Sequence, residues 1–167
     1  LGQIAMSLAG TFNAQNKLGL DLYGQLGGDF FTVPSPTIVA NTSNSNGAVL
    51  NSTITDASKV TASDYNVTFD GANYTLTRQS DGAKWTAGAP ATPGAPLAFT
   101  DSSGKAFDDG FNVTASNLVA GDSFTIEPTR NAAGNIGVAI TDPGKIALAA
   151  PILASTPSSN GGSLKTD

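Results

Sequence analysis

Three carboxylates, Asp101, Asp108 and Asp109, lie close together in the chain with Ser102 and Gly104 beside the first. The chemistry such a group could do is oxygen coordination of calcium. Their spacing does not fit a hand-type calcium loop, and Gly-Asp turns between strands account for the same residues. Asp108, Asp109 and Glu127 also offer pairs of carboxylates of the kind glycoside hydrolysis uses, but any acidic β protein offers such pairs and nothing marks a cleft around these. Tyr65, Tyr74 and Trp85 are a candidate aromatic platform for sugars. Core packing explains them better, because Tyr65 and Tyr74 keep phase with Val67, Phe69 and Leu76. The triplets Asn66-Val67-Thr68, Asn73-Tyr74-Thr75 and Asn112-Val113-Thr114 fit the glycan-acceptor pattern; in a chain this rich in Asn and Thr they read as solvent-facing strand residues. The chain has no Cys and no His. Disulfides, thiolate metal sites and cysteine nucleophiles are therefore excluded, and the commonest general base is missing. No catalytic, cofactor-binding or metal-binding residue is assigned.

The elements that would position these residues fall into two kinds. Over the first 17 residues Leu1, Ile4, Leu8 and Phe12, with Ala5, recur at the three- and four-residue spacings of one helix face. This is the expected helix packing face. After Lys17 the glycines at 19, 24, 27 and 28 end the helix near Leu18 and predict an irregular exit as far as Phe31. A lone amphipathic helix is marginal in water, so its stripe needs a partner, supplied either by the rest of this chain or by chain outside it.

From residue 32 onward short alternating runs dominate. Ile38-Val39-Ala40 predicts an edge strand and Asn41 to Gly47 a long mobile loop, whose Asn-Gly stretch suits a tight turn leading into Val49-Leu50. Tyr65, Val67 and Phe69, then Tyr74, Leu76 and Arg78, then Trp85, predict a meander with turns at Asp70-Gly71 and Asp81-Gly82. Pro90, Pro93 and Pro96 mark an exposed loop. Phe111-Val113-Ala115, Phe124-Ile126 and Ile136-Val138-Ile140 read as further strands, separated by the Ala120-Gly121-Asp122 turn and the loop 131–135. About six to nine short strands suggest an antiparallel sandwich or a barrel-like sheet. Asp142 as a cap and Pro143 at the first position predict a short helical turn through Ala150 that Pro151 stops, and the tail after Thr156 is flexible by composition. The expected fold is thus mainly β, with one N-terminal amphipathic α-helix and a short C-terminal helical turn.

Charged residues make up 13% of the 167, the formal net charge is -5, and the eight Lys and Arg are scattered. No basic stripe exists for nucleic acid to use. No apolar run approaches the roughly 20 residues of a membrane-spanning helix, so no membrane partner is expected. The chain starts at Leu1 rather than Met and ends in a Ser-Ser-Asn-Gly-Gly-Ser stretch, which leads to the expectation of an interior fragment.

Three stretches, taken in order, resemble the bacterial flagellar hook-associated proteins of the hook–filament junction. They are Phe12-Asn13-Ala14-Gln15 with Gly19, Asp21-Leu22, Gly24 and Phe30-Phe31; Ser63-Asp64-Tyr65 through Ser80-Asp81-Gly82; and Gly121 to Arg130 followed by Thr141-Asp142-Pro143 and Lys145-Ile146-Ala147. Departures fall at Asn16 and Tyr23, where that family often carries His and Asn. The resemblance implies a noncatalytic, cofactor-free structural subunit, exported to the extracellular flagellum. Its implied partners are other copies of itself, the hook protein and the second junction protein. It also implies a helical rod domain to which residues 1–31 belong, a β domain at 32–142, and a helical turn and tail at 143–167. Leu1, Ile4, Leu8 and Phe12 are then expected to face helices outside this stretch, leaving the stretch itself monomeric. If they instead pack beside Tyr65 or Phe124, the chain is a single α+β domain. The competing expectation is an extracellular β-sandwich binding or adhesin module that recognises glycans.

Overall fold

The computed structural model describes residues 1–149; the expected stop at Pro151 and the tail beyond Thr156 lie outside them. Helix α1 runs Gly2–Leu18 and is followed by the short strand β1 (Phe31–Thr32). Strands β2 (Thr37–Ala40), β3 (Val49–Ile54), β4 (Tyr65–Phe69), β5 (Asn73–Arg78), β6 (Lys84–Gly88), β7 (Phe111–Ser116) and β8 (Ser123–Glu127) come next. Helix α2 (Ala132–Asn135), strand β9 (Gly137–Val138) and a 3₁₀ turn (Pro143–Lys145) close the described chain.

The meander predicted from period-two alternation is present. Strands β4 and β5 pair antiparallel from Tyr65↔Arg78 to Phe69↔Tyr74, and β6 joins β5 through Leu76↔Trp85. At the first turn Gly71 adopts φ 103°, a value that favours glycine, and the Asp70 carboxylate accepts the N–H groups of Ala72 and Asn73 at 2.8 and 2.7 Å. On the other side of β4 lies β8, in the register Val67↔Phe124, and beyond it β2 forms the edge. The result is a five-stranded antiparallel sheet of order β2-β8-β4-β5-β6. A separate ribbon of β3 and β7, in the register Ile54↔Phe111, turns Leu50, Phe111 and Val113 into the same core as Tyr65, Val67, Leu76, Phe124 and Ile126. Removing such side chains from water stabilises by about 1.5–3 kcal/mol each, which is what holds ribbon to sheet.

Several expectations give way to tertiary pairing. Ile38-Val39 and Val49-Leu50 do not form a hairpin: β2 belongs to the large sheet and β3 to the ribbon, so residues 41–47 cross between layers. That tract is pinned. The Asn44 amide exchanges two hydrogen bonds with the Ser123 backbone, and Ser45 gives its N–H and its hydroxyl to the buried Asp122 carboxylate at 2.7 Å each. Strand 136–140 shrinks to Gly137–Val138, because its partner β1 is only Phe31–Thr32. The turn after Asp142 stops at Lys145; Asp142 does cap it, accepting from Gly144 N–H at 2.9 Å. Instead of continuing a helix, Ala147 gives its N–H to the Asn16 side chain of α1 and Ala149 pairs with the Leu20 backbone of the helix exit. Leu97 and Phe99, which follow the proline loop, are buried core residues that alternation did not flag.

Candidate assembly surface

Helix α1 has two faces with different fates. Met6, Ala9, Asn13 and Asn16 are buried. Met6 is the centre of a second, small core with Ala57, Val60 and Ala132, flanked by Val33 and Ile54. The helix lies close enough to the 55–60 loop that a Cβ on Gly10 would sit 2.9 Å from the Ser58 nitrogen. On the far side Leu1, Ile4, Leu8 and Phe12 are 98%, 68%, 53% and 48% exposed, and none joins either core. They do not pack beside Tyr65 or Phe124. Phe12 lies at the rim of the exit, with its ring centroid 6.1 Å from Phe30 and 5.7 Å from Phe31.

Two asparagines splice the helix to the chain around it. Asn13 acts as a strand in miniature: its Oδ1 accepts the Phe31 N–H at 2.7 Å, and its Nδ2 donates to the Phe31 carbonyl at 2.9 Å. Asn16 donates to the Gly28 carbonyl and accepts the Ala147 N–H, each at 2.9 Å, and so ties helix, exit and returning chain at one amide. A buried amide left half-paired is costly, so these contacts set the geometry firmly. Gly27 has to be glycine for the same reason, since a Cβ there would collide with the Asn16 carbonyl.

The glycine-rich exit is ordered. Leu20 exchanges backbone hydrogen bonds with Ala149 at 2.7 and 3.2 Å, and Asp21 folds the following turn by accepting the N–H groups of Tyr23 and Gln25. The Tyr23 hydroxyl donates to Asp142 at 3.1 Å, and that bond to a carboxylate raises its pKa above the ordinary value. Leu22, Leu26 and Leu148 stand exposed around this turn, next to an apolar groove of about 550 Å³ lined by Leu20, Pro143 and Ile146. A second groove of about 690 Å³ runs between the helix at Gly10, Asn13 and Lys17 and the segment from Ile54 to Ala57. Lys17 closes onto Asp29 at 2.7 Å along that groove.

The residues first considered for chemistry are scattered and satisfied. Asp101 folds its own turn, accepting the N–H groups of Ser103 and Lys105 and the Ser103 hydroxyl. Asp108 pairs with Lys59 at 2.8 Å. Asp109 accepts the Tyr65 hydroxyl at 2.6 Å and Arg78 Nη1 at 2.7 Å, while Glu127 pairs with Arg130. Among the described residues no three acidic side chains gather where a metal ion could be held. The sugar platform does not form, because Tyr65 and Tyr74 are 0% and 7% exposed; burial, seconded by the Asp109 bond, drives the Tyr65 pKa upward. Trp85 lies half-buried against Phe107 and under the Arg78 guanidinium, 5.3 Å away. The three Asn-X-Thr triplets all sit on strands β4, β5 and β7, where Asn66 and Asn112 are half-buried. No helix among the described residues is long and apolar enough to cross a membrane.

Sequence patterning missed the buried face of α1. Its signal was present in the spacing of Met6, Ala9, Asn13 and Asn16, which repeats at three and four residues, but two of the four are amides and do not register as apolar.

Against known proteins, a family model of the flagellar hook-associated protein 1 D2-like domain matches residues 39–128. The chain belongs to the flagellar hook-associated protein 1 family. A second model, the helical domain of flagellar hook-associated protein FlgK, matches residues 1–31. The chain is 39% identical over 150 residues to flagellar hook-associated protein 1 of Escherichia coli K12 and 36% identical over 151 residues to that of Salmonella typhimurium LT2. Each alignment covers 89% of this chain and 25% of the relative, so the chain spans about a quarter of the hook-associated proteins it matches. The structure of the flagellar hook junction protein FlgK from Burkholderia pseudomallei superimposes with a TM-score of 0.73 at 37% identity, covering 90% of this chain and 26% of that one. The mainly antiparallel fold with its N-terminal helix is shared with that structure. The family match also removes the ground for the adhesin alternative, as does the burial of Tyr65 and Tyr74.

Proposed function

We propose that this chain is a stretch of a noncatalytic building block of the bacterial flagellum, placed outside the cell at the hook–filament junction and working by packing subunits in register. The observation that carries this reading is the pairing of family membership with a helix whose apolar face, Leu1, Ile4, Leu8 and Phe12, is left uncovered. Exposed leucine and phenylalanine at helical spacing are costly in water unless something covers them. The relatives carry roughly three times as much further chain, and helices of that chain are the proposed cover.

In this proposal residues 1–31 belong to a helical rod domain, residues 32–142 to a β domain projecting from it, and residues 143–167 to a returning turn and tail. In the full-length assembly the partners are other copies of the same protein, the hook protein on one side and the second junction protein on the other. The test is made in the full-length gene product. Replacing Leu8 and Phe12 together by glutamate is expected to leave the subunit exported and its β domain folded, but to abolish junction formation and motility. Normal junctions in that variant would overturn the proposal. The 167-residue chain alone is expected to be monomeric by light scattering at micromolar concentration, and a stable oligomer would contradict the assigned role of the missing helices.

A further inference from the structure

The crossover between the two β layers carries three asparagines, and the structure treats them differently. Asn41 uses its Oδ1 to accept the Ser43 N–H, and Asn44 is held at both ends of its amide by Ser123. Asn46 is exposed, and among the described residues neither its side-chain amide nor the N–H of the next residue, Gly47, is engaged in a hydrogen bond. Gly47 is exposed as well, has φ 95°, and has open space where a Cβ would be. A single backbone bond, Ala48 N–H to Ser45 carbonyl at 3.2 Å, closes the turn that contains the pair.

We propose that Asn46 is a site of spontaneous deamidation, and that its conversion loosens the crossover between the layers. The Gly47 nitrogen attacks Asn46 Cγ, the new C–N bond closes a five-membered imide, and the Cγ–Nδ2 bond breaks. Ammonia leaves with the proton taken from Gly47. Water then opens the imide at either carbonyl, giving aspartate in the normal chain or isoaspartate with the main chain rerouted through Cβ and Cγ. Glycine is what makes the attack feasible, since no side chain shields its nitrogen and its backbone is free to swing; free asparagine amides are a recognised thermolabile element. The consequence falls on the preceding residue. Ser45 supplies two of the donors that hold the buried Asp122 carboxylate, so an added charge or an added backbone methylene at position 46 acts directly on that latch.

The same chain holds one other Asn-Gly pair, Asn160-Gly161, which serves as an internal standard for the chemistry. The purified 167-residue protein is incubated at mildly alkaline pH and 37 °C and followed by peptide mapping with isoaspartate detection. Asn46 is expected to convert many-fold faster than Asn41 and Asn44, with a mixture of aspartate and isoaspartate, and the converted fraction to melt at a lower temperature than the intact one. Asn46→Gln is expected to suppress conversion at this position with little change in melting temperature. Gly47→Ala should suppress it too, though it strains the turn. Retention of Asn46 while Asn160 converts, or conversion of Asn41 and Asn44 at the same rate, overturns the proposal.

Discussion

The β domain and the helical module of this chain solve opposite problems. Between β2 and β8 the apolar side chains turn inward, and of the large ones in the described residues only Val39, Val49 and Val119 are strongly exposed there. The helical module does the reverse. It buries the amides of Asn13 and Asn16 and leaves Leu1, Ile4, Leu8, Phe12, Leu22 and Leu148 in the open. A polar group is worth burying only when every bond it makes is met, and both asparagines meet theirs inside this chain. The exposed leucines have no such answer here. The difference teaches that one region covers its own large apolar side chains, while the other leaves a stripe of them uncovered.

The sharpest way to break this comparison is to cut apolar mass from each region. Leu76→Ala in the β core should cost about 2–5 kcal/mol of unfolding free energy, whereas Leu8→Ala on the exposed stripe should change it by less than about 0.5 kcal/mol. Urea denaturation of the 167-residue chain measures both. Equal losses would mean that the stripe is covered within this chain after all.

A middle-sized effect is expected at the splice. Asn13→Ala leaves the Phe31 N–H and carbonyl without their partner and should cost about 1–3 kcal/mol. Hydrogen exchange should speed up at Phe31 and along α1, with protection at Tyr65, Val67 and Leu76 unchanged. A uniform rise in exchange would show that the two regions unfold as one.

Asp122 tests the completeness of the β domain from the polar side. Its carboxylate accepts three hydrogen bonds, two from Ser45 and one from Val119 N–H at 2.8 Å, and Asp122→Asn places an NH₂ where donors already point. A melting temperature lower by roughly 3–8 °C is expected for a 167-residue chain.

The smallest effect is a pH dependence. The Ser45 and Val119 N–H groups hold the Asp122 pKa below the ordinary carboxylate value, and Arg78, helped by the Ala83 N–H, holds Asp81 down at about 2. A carboxylate whose folded pKa is depressed adds stability that is complete above its unfolded value, about 3.9, and is lost as pH falls through the folded one. Stability should therefore decline between about pH 4 and pH 2, and Asp81→Asn should flatten that decline. A decline of the same steepness in the variant would remove Asp81 from the account.

Much of the β domain was legible in the residues themselves. Alternation at Tyr65-Val67-Phe69 and Tyr74-Leu76, with Asp-Gly at each turn, specifies both the strands and the face they bury, because register and turn chemistry agree. What alternation does not carry is which strand joins which sheet. Asn44-Ser45-Asn46-Gly47 has the composition of a hairpin turn, yet the bonds that decide its path come from Asp122 and Ser123, far away in sequence. The same holds for Ala147 to Ala149, whose helical tendency yields to the Asn16 side-chain amide and the Leu20 backbone. On the helix the exposed stripe was readable as a pattern. Its buried counterpart was not, since two amides hide it from any hydrophobic count.

One consequence of the pairing between β2 and β8 lies in the order of events during folding. Asn16 and Ala147 are 131 residues apart, and searching for each other across an open chain would be slow. Once Thr37 is paired with Glu127, the chain separating them is effectively about threefold shorter, which lowers the closure cost by about 1 kcal/mol. When β2 and β8 pair first, the contact between Asn16 and the returning chain at Ala147 therefore closes at lower entropic cost.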